Sequence, residues 1–128
     1  MKRIVKSNQE ILGMARVGFV DKLEVYVNTD DGGNIPHFHI RDKVDWKKFH
    51  SCVKILSAEY FEHEGKEDTL SSKQRKELQT FMLSKVDNPK YLNLFENTWK
   101  YICFLWDMNN SAIQIPEDAE MPNYRELR

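Results

Sequence analysis

Leu23-Glu24-Val25-Tyr26-Val27-Asn28 and, after a turn, Ile35-Pro36-His37-Phe38-His39-Ile40 are the stretches that decide how this chain folds. In the first, Leu23, Val25 and Val27 alternate with Glu24, Tyr26 and Asn28. A period of two places the aliphatic side chains on one face of a strand and the polar ones on the other. In the second, Phe38 and Ile40 face one way, and His37, His39 and Arg41 face the other. Thr29-Asp30-Asp31-Gly32-Gly33-Asn34 lies between them. Asp and Asn accept hydrogen bonds from nearby amides and Gly tolerates positive φ, so the pair predicts a hairpin with a wide loop. Pro36 opens the second strand, where a missing N–H is tolerated.

Upstream, Val17, Phe19 and Val20 extend the strand pattern, and Ser7-Asn8-Gln9-Glu10 has the spacing of a capping box, which predicts a short helical turn. Downstream, Cys52, Val53, Ile55 and Leu56 make an apolar run over 51–56, and 58–61 predicts a further short strand. The second half is helical in pattern. Ser71 and Gln74 form a capping box ahead of a stripe of Leu78, Phe81 and Met82. Asn88 and Pro89 mark a second start, after which Leu92, Phe95, Trp99, Ile102 and Trp106 recur at helical spacing. Strands followed by helices predict the α+β class. We expect an antiparallel sheet of three to five strands from residues 15–61, with an added edge at 112–115. Helices 71–85 and 89–109 should cover one face of that sheet. Residues 1–128 read as one domain, with polar 116–128 a loosely docked tail.

Hydrophobic residues at 41% and charged residues at 30% are those of a globular chain. A net charge of −1, nearly balanced in each half, lacks the basic footprint of tight phosphate binding, so nucleic acid is not indicated. No run approaches the ~20 apolar residues of a membrane span, and the N-terminus shows no signal-peptide pattern. Cys52 and Cys103 lie in apolar segments without a CxxC pair, which fits reduced thiols and a cytoplasmic location.

Three of the four histidines fall close together, at His37, His39 and His50. His37 and His39 share a strand face, and imidazole is the commonest metal ligand. With His50, and with Asp42, Glu62 or His63 as further donors, they form the candidate site for a divalent metal, namely zinc, manganese or iron. The competing expectation is two histidines on the solvent face of a strand, binding nothing. Cys52 lies two residues from His50, but its apolar run describes an inert thiol rather than a nucleophile. The acidic stretch Glu59, Glu62, Glu64, Glu67 and Asp68 has the character of a charged loop. Trp99 and Trp106 sit at core spacing. Trp46, Phe49 and Tyr60 are irregularly placed and are the candidate anchors for a protein partner.

Leu23 to Asp31, the loop, and Ile35-Pro36-His37-Phe38-His39-Ile40 resemble a family of small prokaryotic proteins of unknown function. In these a strand leads into a Pro-His-Phe/Val-His-Val/Ile turn and strand. Pro36, His37 and His39 carry the match, while the Gly32-Gly33-Asn34-Ile35 approach is longer than the family's. The resemblance implies a compact protein of bacterial or phage origin and carries no activity with it. The leading functional expectation is therefore a small soluble binding or regulatory protein acting through protein contacts, with a homodimer as one form of partnership. Its rival is a metal-dependent hydrolase or nuclease using His37 and His39.

Overall fold

The computed structural model describes residues 14–28, 35–62, 68–110 and 114–128. Four strands, β1 (Met14–Val20), β2 (Leu23–Asn28), β3 (His37–Asp42) and β4 (His50–Lys54), pair consecutively in the order β1-β2-β3-β4, antiparallel throughout. The predicted hairpin is the centre of this sheet, with Val25 opposite Ile40 and Tyr26 opposite His39. Two helices follow, α1 (Ser72–Leu83) and α2 (Thr98–Asn109), so the fold is α+β as expected. The aliphatic face of the sheet, including Val25, Val27, Phe38, Ile40 and Val53, joins Leu78, Met82, Trp99, Ile102 and Trp106 in one core.

The turn from β1 to β2 has two residues, Asp21 and Lys22, with φ of 46° and 69°. Both lie in the left-handed region that a two-residue hairpin with right-handed twist requires. Lysine is strained there, because its Cβ crowds the following carbonyl. Lys22→Gly should therefore raise stability by about 0.5–1 kcal/mol, net of the extra freedom glycine has when unfolded. The expected reading is a higher urea midpoint at unchanged slope; a lower midpoint would contradict it. One strand earlier, the register shifts between Arg16 and Gly18, and Gly18 lies against the Phe81 ring of α1. A Cβ at that position would come 2.7 Å from the ring, so any larger residue there would have to displace the Phe81 side chain.

The capping box of α1 forms as predicted, with Gln74 N–H donating to Ser71 Oγ and Ser71 N–H to Gln74 Oε1. The expected single helix over 89–109 does not form. Asn88 and Pro89 start only a 3-10 turn, Pro89–Tyr91, and Asn97 starts α2 by accepting from Lys100 N–H at 2.9 Å. The break has a tertiary cause: Thr98 N–H and Oγ1–H both donate to the Ser84 carbonyl, at 2.9 and 3.0 Å. The backbone at the start of α2 is thereby tied to the end of α1 instead of continuing an upstream helix. Tyr91 and Phe95 still pack on Tyr101, 5.2 and 5.4 Å between ring centroids.

The closing segment is docked more firmly than its polar composition suggests. Tyr124 is fully buried, its hydroxyl donating to the Ile55 carbonyl at 2.7 Å and accepting from Trp99 Nε1–H at 3.0 Å. Arg128 exchanges backbone hydrogen bonds with Ala58 and Tyr60. The expected strand at 58–61 is a single bridge between Val53 and Tyr60. Of the expected edge at 112–115, residues 112 and 113 lie outside the described residues, and Gln114 and Ile115 are not in a strand. The helical turn expected near Ser7 and the turn at 29–34 also lie outside them. No helix among the described residues is long and apolar enough to cross a membrane.

Candidate metal centre

The second face of the sheet carries the candidate donors. Strand register sets Arg16, Tyr26, His39 and Cys52 in one row across all four strands. Phe19, Glu24, Arg41 and His50 form the next row. His39 is thus directly opposite Cys52 and diagonal to His50, both within reach of an imidazole.

This face is not the solvent-exposed surface expected of His37 and His39. His37, His39 and His50 are all buried, as are Tyr26, Glu24 and Cys52. Glu24 bridges Arg16 and Arg41, the latter at 3.1 Å, which compensates its buried charge. The Arg41 guanidinium in turn lies over the Tyr26 ring, 4.8 Å from its centroid.

His39, His50 and Cys52 converge. His39 Nδ1 is 3.0 Å from His50 Nε2 and 3.2 Å from Cys52 Sγ, and one donor atom from each residue lies within 4.8 Å of the others. Tyr26 Oη is 3.0 Å from the same His50 Nε2, and Asn28 Nδ2 is 3.5 Å from His39 Nε2. An imidazole nitrogen has either one proton or one lone pair to offer. His39 Nδ1 serves both His50 and Cys52, and His50 Nε2 serves both His39 and Tyr26. Each nitrogen is therefore shared between more neighbours than a single hydrogen bond satisfies well. A cation at the centre would use all three donors at once.

The spacing suits such an ion. Zinc bond lengths of about 2.0–2.1 Å to nitrogen and 2.3 Å to sulfur imply tetrahedral edges of about 3.3 and 3.6 Å. The two sides that meet at His39 Nδ1, 3.0 and 3.2 Å, need to open by only about 0.3–0.4 Å to reach them.

Of the three histidines expected at the site, the structure brings together His39 and His50 and replaces His37 with Cys52. His37 Nδ1 is 2.8 Å from the Ile35 carbonyl, and its ring packs against Phe61 and Trp106 at centroid distances of 4.7 and 5.3 Å. Asp42 is also diverted: Oδ1 accepts from Val44 and Asp45 N–H, both at 2.9 Å, which holds its carboxyl below the usual carboxylate range. Glu62 is not among the clustered donors, and His63 lies outside the described residues. The apolar neighbours of Cys52 describe an inert thiol, yet the His50-x-Cys52 spacing is a usable signal, since it sets both side chains on one strand face. Cys103 is remote from the cluster in α2, and burial pushes its thiol up to about 12.

Asp68 Oδ2 accepts from His50 N–H at 2.8 Å and anchors the start of β4. Trp46, on the β3–β4 loop, meets the His50 ring edge-on at 6.0 Å and is 45% exposed. The other expected anchors are engaged internally. Phe49 packs against the core, and the Tyr60 hydroxyl accepts from Leu70 N–H at 2.7 Å.

The chain matches no protein-family model, and neither the curated proteins nor the solved structures yield a match.

Proposed function

We propose that this chain is a metal-stabilised binding module: it holds a divalent ion, zinc, through His39, His50 and Cys52, and acts through protein contacts rather than catalysis. One observation carries the reading, the convergence of three donors within 4.8 Å on a single buried sheet face. The donor set selects among zinc, manganese and iron. Two imidazoles and a thiolate suit zinc, whereas manganese favours carboxylate and water oxygens. A hydrolase would need an open coordination position reached by water and substrate. All three donors are buried, which favours a structural ion over a catalytic one. Contact with a partner falls to the β3–β4 loop, where Val44 is 90% exposed and Trp46 stands over His50. An ion that fixes His50 would also fix the platform under Trp46.

The test is metal content and zinc titration of protein purified without a histidine tag. One zinc per chain is expected, lost in Cys52→Ala and in His39→Ala and retained in His37→Ala. Uptake that ignores Cys52 but requires His37 would overturn the assignment.

A further inference from the structure

Three donors leave one corner of a tetrahedron. Tyr26 Oη lies against one of them, 3.0 Å from His50 Nε2, close to a tetrahedral edge. We propose that Tyr26 is the fourth ligand and closes the coordination sphere as a phenolate, an inference that rests on the metal-binding reading above. When the His50 Nε2 lone pair binds an ion, the Tyr26 hydroxyl loses that nitrogen as its acceptor. Only 3% of Tyr26 is exposed, so water is a poor replacement for that nitrogen, and the ion would sit beside it.

Charge points the same way. Zinc with one thiolate leaves a net positive charge among buried groups, which is costly, and a phenolate brings the site to neutrality. The thiol and phenol protons leave to solvent as the ion enters. The backbone already places the residue: Tyr26 is the cross-strand neighbour of His39, as Cys52 is on the other side, and the Tyr26 and His39 rings stack at 4.9 Å. A site of two imidazoles, a thiolate and a phenolate has no position left for a reactive water, so its ion is structural.

Cobalt(II) makes the site visible. The full chain and Tyr26→Phe are titrated with Co²⁺, and azide is then added to each. The wild type should show a tetrahedral spectrum with a thiolate-to-cobalt band that azide leaves unchanged. Tyr26→Phe keeps the shape of the side chain and three ligands. It should bind Co²⁺ at least about tenfold more weakly and shift its spectrum with azide, which enters the vacated corner. Equal affinity in Tyr26→Phe, or an azide response in the wild type, overturns the role of Tyr26 and leaves the three-ligand site standing. The wild-type azide result needs no variant to fold. Absence of the thiolate band in the wild type overturns both this inference and the metal-binding reading.

Discussion

Zinc at about a thousandfold excess over its Kd should add about 4 kcal/mol to the unfolding free energy. For a domain of this size that is a rise in Tm of more than about 10 °C, reversed by chelation. The reason is linkage. The donors come from β3 and β4 and are brought together only by strand pairing, so the unfolded chain holds the ion far more weakly. Calorimetry with and without metal measures the increment. It should vanish in Cys52→Ala and persist in His37→Ala, even though His37 packs against Phe61 and Trp106 and its loss weakens the apo protein. Comparing each variant with itself, plus and minus zinc, removes that packing effect. An unchanged increment in Cys52→Ala would rule out the thiol as a ligand.

Tyr124→Ala should cost about 3–5 kcal/mol, the range for emptying a large buried site. Tyr124 has no exposed surface, stands edge-on to Phe38 at 5.9 Å, and joins the Ile55 carbonyl to the Trp99 indole through its hydroxyl. Truncation removes the ring contacts and the shorter of the two hydrogen bonds on that carbonyl, while Trp99 Nε1–H still reaches it at 3.1 Å. Tyr124→Phe separates the contributions and should cost about 1 kcal/mol, the net value of a hydrogen bond. Denaturant unfolding measures both. A loss below about 1 kcal/mol for the alanine variant would mean that the closing segment is only loosely attached.

The parts of the fold legible in the sequence are those governed by local rules. The alternation in Leu23 to Asn28 and the Phe38/Ile40 pair placed the aliphatic side chains on the core face of β2 and β3. Ser71 and Gln74 placed the start of α1 within one residue. The break before α2 was not legible. Leu92, Phe95 and Trp99 keep helical spacing, but Thr98 bonds to Ser84, a partner fourteen positions away. Tyr124 was hidden for a similar reason, since a single aromatic in a polar segment carries no periodicity and its partners are Ile55 and Trp99.

The candidate site divides along the same line. Strand alternation alone determined that His37 shares a face with His39, and His50 with Cys52, because side-chain direction within a strand depends only on the parity of the residue number. Which pair members meet depends on register between strands. That register is set by the pairing of His39 with Cys52 and Tyr26 with His39, and it cannot be read along one strand. Burial was likewise a tertiary decision. A histidine on a polar face is exposed or enclosed according to what packs over it, and here Phe61 and Trp106 lie against His37 while Trp46 lies against His50. The sequence by itself thus determined the sheet, its two faces and the residue types able to bind an ion. Only the tertiary structure decided that His39, His50 and Cys52 come together away from water, because that needs β3 and β4 paired in one register and other segments packed over them.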